Sequence, residues 1–266
     1  MMDFCHLHPN TAQLCKEVTD MIRFILIVII VVGFLILSIP ILLAEWIIGK
    51  FSPMVKDISS LRLIQGVFKF ILWLAGTKIT VIGEENVPAD IPVLYIGNHR
   101  SYFDILLTYT RCARRTGYVA KKEMERYPLL SNWMKYLHCL FLDRKDIKQG
   151  LKTILTAIDK IKSGISICIF PEGTRNKNQD EAELLPFHEG SFKIAVKTGC
   201  PIIPIAMNHT AEIFEAHFPK VRPCHVIVEY CSPIYVNEMD KKAQKHLGEY
   251  TQNIIRETIK KNQSLV

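Results

Sequence analysis

The spacing of apolar and polar positions divides the chain into two unlike parts. Across residues 24–43 every position is apolar except Gly33, Ser38 and Pro40, and none is charged. A helix of that length reaches about 30 Å, the hydrocarbon thickness of a bilayer. A secretory signal has a shorter apolar stretch and a small-residue cleavage site, which Ala44-Glu45-Trp46 does not offer, so the segment is read as retained. Gly33 and Pro40 permit a broken helix, which leaves crossing and re-entrant paths both open. Residues 61–75 predict a second helix, with Arg62, Gln65 and Lys69 on a narrow polar face. Leu63, Ile64, Val67, Phe68, Ile71, Leu72 and Leu74 surround it. Such a helix either lies along a membrane surface or packs on the domain that follows.

From Lys78 onward the pattern alternates. Short apolar runs at 79–82, 93–96, 139–142, 165–170, 202–206 and 225–230 are separated by helix-like stretches. In one of these, Ile147, Leu151, Ile154, Ile158 and Ile161 keep the 3.6-residue period while Lys148, Lys152 and Lys160 turn outward. The alternation predicts an α/β fold: a mixed, largely parallel sheet flanked by helices, preceded by an N-terminal membrane-attaching helical segment. The expected division is 1–77 for the tail and attaching helices and 78–266 for the α/β domain. In such sheets ligands bind where strands end and helices begin. Residues 238–261 predict a charged helix with sparse apolar positions.

Composition narrows the class. With 49% hydrophobic and 22% charged residues the chain is neither disordered nor polytopic. The formal charge of +7 suits acidic partners. Its basic residues are dispersed among acids, without a recognition helix or aromatic RNA platform, so nucleic acid is not an expected partner. Eight cysteines without a CxxC pair read as reduced core thiols. Cys5, His6, His8 and Cys15 match no zinc spacing and read as a loose tail. Lys50, Lys56, Arg62 and Lys69 follow the apolar run, against Lys16 and Arg23 before it. The expected location is therefore a membrane, integral or tightly associated. If the run crosses, this bias places the following domain on the cytoplasmic side.

The chemistry-bearing stretch is Asn98-His99-Arg100-Ser101-Tyr102-Phe103-Asp104, directly after the run 93–96. His99 belongs on the turn that ends a strand, Ser101 caps the next helix, and Asp104 falls in its first turns. A carboxylate so placed can hold one imidazole nitrogen as N–H and leave the other free as a base. A histidine bonded to backbone and an aspartate complementing a helix dipole fit this stretch equally well. Phe170-Pro171-Glu172-Gly173-Thr174-Arg175 follows the run 165–169, and a guanidinium on such a turn suits phosphate. Leu142-Asp143-Arg144 and Lys121-Lys122 deliver further cations at strand ends.

Together these residues resemble the glycerolipid acyltransferases of the lysophosphatidate acyltransferase type. Residues 98–104 match the family's NHxxxxD box, 142–144 resemble the end of its second box, 170–175 its FPEGTR box and 201–205 its fourth. The resemblance runs from about residue 91 to 208 and extends to Leu184-Leu185-Pro186-Phe187, Gly190 and Ala195. Two positions depart from it: Arg100, often glutamine in lysophosphatidate enzymes, and His188-Glu189, where basic residues are common. The resemblance implies transfer of a fatty-acyl group from acyl-CoA or acyl carrier protein to the sn-2 hydroxyl of lysophosphatidate at a membrane, giving phosphatidic acid. His99 and Asp104 are the implied catalytic pair. Glu172, Gly173, Thr174, Arg175, Arg144 and Lys121 are the implied substrate site, with Glu172 on a glycerol hydroxyl. No metal or other cofactor is implied. Backbone N–H groups beginning the Ser101 helix are candidates for an oxyanion site. Glycerol 3-phosphate or another lyso-lipid is the alternative acceptor, and a non-catalytic membrane-surface protein the alternative class.

Overall fold

The computed structural model describes residues 9–266, so Cys5, His6 and His8 lie outside the described residues. Three helices come first: α1 (Pro9–Leu37), α2 (Ile39–Phe51) and α3 (Pro53–Leu74). The alternating part follows as β1 (Lys78–Ile82), β2 (Leu94–Gly97), α4 (Phe103–Tyr109), β3 (Thr116–Lys121), α5 (Pro128–Tyr136), β4 (Leu140–Leu142) and α6 (Ile147–Lys162). It closes with β5 (Ser166–Ile169), α7 (Lys193–Thr198), β6 (Ile202–Asn208), β7 (His225–Tyr230) and α8 (Leu247–Asn262).

The strands form one seven-stranded sheet in the order β1-β7-β6-β2-β5-β3-β4. Every neighbouring pair is parallel except β6 with β7, which makes the sheet mixed and mainly parallel. Strand alternation sends successive side chains to opposite faces. Tyr95, Cys168 and Ile203 join one core, which also holds Leu61, Ile64, Leu107 and Trp133 from the helices on that side. Leu94, Ile96, Ile167, Ile169 and Ile202 join the other, with Ile158 and Ile161 of α6, Ile194 of α7 and Ile255 and Ile259 of α8. Because β2, β3, β4 and β5 all run the same way, the residues just past their C-terminal ends emerge along one edge.

The apolar run at 24–43 is not one helix. It breaks at Ser38, and Pro40 sits in the first turn of α2, where its missing N–H is tolerated. α1 is long and apolar enough to cross a membrane. It is nevertheless seated on the domain at two places. Asp20 meets Arg222 and Phe24 stacks on Phe214 at 5.5 Å near one end. Near the other, Trp133 Nε1 donates to Ser38 Oγ at 2.8 Å. Of the two settings open to the helix at 61–75, packing on the domain is observed. Gln65 is buried and donates to the carbonyls of Tyr109 and Cys112 at 3.1 and 2.8 Å. The C-terminal helix begins at Leu247 rather than 238, because Asp240 Oδ1 accepts the amides of Lys242 and Ala243 and holds a turn there.

Candidate active site

β2 ends at Gly97, where a Cβ would stand only 3.1 Å from the Phe170 ring. Asn98 then prolongs the sheet with its side chain. Its Oδ1 accepts from Met207 N at 2.9 Å and its Nδ2 donates to Met207 O at 2.9 Å. That fixes where the chain leaves the strand, and His99 is the next residue.

The histidine is held from every side. Its Nδ1 lies 2.8 Å from Asp104 Oδ2, and its ring stacks on Phe170 with centroids 4.5 Å apart. Its backbone N–H donates to Glu172 Oε1 at 2.8 Å and its carbonyl accepts from Asn176 N at 2.7 Å. Asp104 is fully buried, and its Oδ2 also accepts the amides of Arg100 and Ser101 at 2.7 and 2.8 Å. A carboxylate so loaded acts as acceptor only, which assigns the Nδ1 proton to histidine and leaves Nε2 with its lone pair. Ser101 Oγ accepts Phe103 N–H at 3.0 Å, so the serine does serve the start of α4.

The expected oxyanion site is not there. The amides of residues 100–105 are all engaged: Arg100 and Ser101 on Asp104, Tyr102 on Glu215, Phe103 on Ser101, and Asp104 and Ile105 in the first turn. No N–H in that run is left to meet a developing charge.

The FPEGTR turn closes through Gly173 N donating to Phe170 O at 3.0 Å, with Gly173 at φ +73°, a backbone region that favours glycine. Glu172 is buried. Its two oxygens accept His99 N and Leu185 N, at 2.8 and 3.0 Å. Burial pushes its carboxyl pKa up, against the two amides that pull it down. Thr174 is exposed. The Arg144 guanidinium reaches back to this turn, its Cζ 3.8 Å from where a Gly173 Cβ would stand, with His188 Nε2 at 3.2 Å from the same point. Lys121 is exposed at the end of β3. Neither Arg144 nor Lys121 forms an ion pair among the described residues, whereas Lys122 pairs with Asp143 at 3.2 Å.

Arg175 is occupied. Its Nη1 donates to Glu215 Oε1 at 2.8 Å, its Nη2 to the Tyr102 hydroxyl at 3.2 Å, and Cζ lies 3.8 Å from the Tyr102 ring centroid. Tyr102 and Phe170 lie inside the NHxxxxD and FPEGTR boxes without a role assigned to either, and Glu215 was not signalled at all. Glu215 falls in the irregular connection after β6, where no period or motif marks it. The departure at Glu189 has a structural account: its carboxylate accepts Gly248 N in the first turn of α8 at 3.0 and 3.1 Å.

Three known proteins and one family model resemble this chain. The sequence model of the Acyltransferase family matches residues 78–208. A 1-acyl-sn-glycerol-3-phosphate acyltransferase of Cocos nucifera is 32% identical over 182 residues, covering 68% of this chain and 58% of that protein. One of Borreliella burgdorferi is 35% identical over 155 residues, covering 58% of this chain and 61% of that protein. The chain thus spans about three fifths of the length of these relatives. The crystal structure of the 1-acyl-sn-glycerophosphate (LPA) acyltransferase PlsC from Thermotoga maritima superimposes with a TM-score of 0.78 at 20% identity, over 93% of this chain and 99% of that one. At that identity the likeness concerns the fold. Residues 78–208, which hold the His99–Asp104 pair and the FPEGTR turn, are thus an acyltransferase-family segment.

Proposed function

We propose that the protein transfers a fatty-acyl group from a thioester carrier, acyl-CoA or acyl carrier protein, to the sn-2 hydroxyl of lysophosphatidate, yielding phosphatidic acid. The observation that carries the proposal is His99 at a strand end, its Nδ1 on buried Asp104 and its Nε2 open. In this reading Nε2 takes the acceptor's hydroxyl proton as the oxygen attacks the thioester carbonyl. The tetrahedral adduct then collapses, the C–S bond breaks, and the imidazolium returns its proton to the leaving thiolate. Asp104 keeps the ring in the working tautomer and steadies the imidazolium. A thioester is activated enough that no acyl-enzyme is needed. Arg144, Arg175, Lys121 and the Gly173-Thr174 turn are assigned to the acceptor phosphate, which aligns the hydroxyl on His99. Glu172 is read as a brace behind His99, since both its oxygens are taken by amides.

The membrane reading rests on α1. Leu14, Val18, Ile22, Ile25, Ile29, Val32 and Ile36 form an exposed stripe at helical spacing, while Phe24, Ile27, Ile30 and Phe34 pack on the domain. Docked as it is at two places, α1 is proposed to lie within the bilayer surface, with the domain on one side.

The test is purified protein in mixed micelles, given acyl-CoA or acyl carrier protein donors. Acceptors are lysophosphatidate, glycerol 3-phosphate and monoacylglycerol. Lysophosphatidate is expected to be used best, with its transfer lost in His99→Ala. Folded wild type that acylates none of the acceptors from either donor would sink the proposal.

A further inference from the structure

The cations of the site are not alike. Arg144, which has Glu123 in its neighbourhood, and Lys121 form no direct ion pair among the described residues, but Arg175 is ion-paired to Glu215, with side-chain exposures of 30% and 19%. Glu215 does two jobs with one oxygen: Oε1 accepts both Arg175 Nη1 and Tyr102 N, at 2.8 Å each. Its Oε2 is buried with no hydrogen-bond partner, an arrangement that raises the cost of keeping a carboxylate there. The turn that carries it is flanked by Phe214, stacked on Phe24 of α1, and by Phe218, 72% exposed. Glu215 therefore pairs with the guanidinium while its chain neighbour Phe214 touches α1.

An arginine beside a carboxylate is close to neutral as seen by an approaching anion. While Glu215 stays in place, Arg175 adds little attraction for a phosphate. We infer that Glu215 is an exchange carboxylate: it occupies Arg175 between turnovers, the acceptor's phosphate displaces it, and it returns as the phosphorylated product departs. This rests on the assignment of Arg175 to the acceptor phosphate. One anion replaces another and no bond to phosphorus changes. Acyl transfer leaves the phosphate untouched, so the exchange weakens acceptor and product by the same factor. Binding that is uniform along the reaction lowers KM without raising kcat, and it holds the product equally hard. Glu215 tempers both.

Glu215→Gln tests this, because the amide oxygen can still accept Tyr102 N and Arg175 Nη1 while the charge is gone. For a partly exposed pair the expected change is about two- to fivefold. The full-length protein in mixed micelles should show a lower KM for lysophosphatidate and a lower inhibition constant for phosphatidic acid, by one common factor. The KM for the thioester donor and the rate on monoacylglycerol should stay as in wild type. The same tightening should appear in direct binding of glycerol 3-phosphate, followed by its effect on melting temperature. It should vanish when Arg175→Ala is added. A raised acceptor KM in a folded Glu215→Gln protein would make Glu215 a strut for Arg175 and overturn the exchange. Glycerol 3-phosphate binding that Arg175→Ala alone leaves unweakened would instead remove Arg175 from the phosphate assignment, and the exchange with it.

Discussion

His99 is held at its ring by Asp104 and at its backbone by Glu172, and each contact predicts a different failure. Asp104→Asn keeps an oxygen for the amides of Arg100 and Ser101 but places an –NH2 where Oδ1 is buried without a partner. Turnover is expected to fall by about 10²–10⁴-fold, the range for losing a working general base. Circular dichroism should find the variant folded, and a folded variant of near wild-type kcat would rule out the pair as the base. Glu172→Gln has one oxygen for two amides, so either His99 N or Leu185 N faces a donor. If Glu172 is a brace, kcat should drop about ten- to a hundredfold, as for a lost charge-assisted hydrogen bond, with acceptor KM little changed. The opposite split, a raised KM at constant kcat, would restore Glu172 to the glycerol hydroxyl. The histidine and aspartate were legible in sequence because five residues across a strand-to-helix turn bring two side chains together. The part played by Glu172 was not legible, because its partners are backbone amides, which every residue but proline supplies.

Elements were legible wherever burial imposed a period. The central strands are buried on both faces, so they read as continuous apolar runs. The antiparallel setting of β7 was not legible, since direction leaves no mark on composition. Nor was the ionic cluster that ties α3 to the sheet. Lys160, expected to face outward, has Nζ 3.2 Å from His138 Nδ1. His138 Nε2 lies 2.7 Å from Asp57 Oδ2, with Arg115 Nη1 at 3.2 Å from the same oxygen. Asp57 of α3 and Lys160 of α6 meet Arg115 and His138 from two connections, and no local pattern announces such a meeting. Burial would push the Asp57 carboxyl up, but His138 and Lys56 outweigh it and hold its pKa at about 2, below the ordinary 3.8. A lowered acid pKa contributes stability above its unfolded value and loses it as pH falls through the folded one. Asp57→Asn should therefore cost about 3 kcal/mol at pH 7, as for breaking a buried pair. Melting curves of variant and wild type should converge as pH is lowered from about 4 towards 2. A constant gap across that range would mean the aspartate acts by shape and not by charge.

At the scale of the whole molecule, the catalytic edge and the apolar face are joined by α1. Hydropathy alone could not decide between crossing and lying flat, because a single helix of this length satisfies both. Docking decides what a crossing would entail. A spanning α1 would have to leave the domain it packs on, losing Phe24 from Phe214 and Ser38 from Trp133. On the domain, Phe214 and Trp133 would be uncovered to water, at up to about 1.5–3 kcal/mol each. Lying flat keeps these contacts and still buries the outward stripe from Leu14 to Ile36. Attachment should then depend on apolar area: salt or carbonate washing should leave the protein on membranes, whereas surface charge attraction is screened. Ile25→Glu with Ile29→Glu, both on the outward stripe, should release it. Sidedness gives the sharper measurement. Cys15 lies exposed near the start of α1, and a helix in the surface plane keeps it on the same side as the domain. In sealed vesicles of a Cys5→Ser variant with the domain outward, established by protease access, a membrane-impermeant maleimide should label Cys15 without detergent. A helix that crosses would shield Cys15 inside until the vesicles are opened. Labelling that requires detergent would therefore reject the flat arrangement.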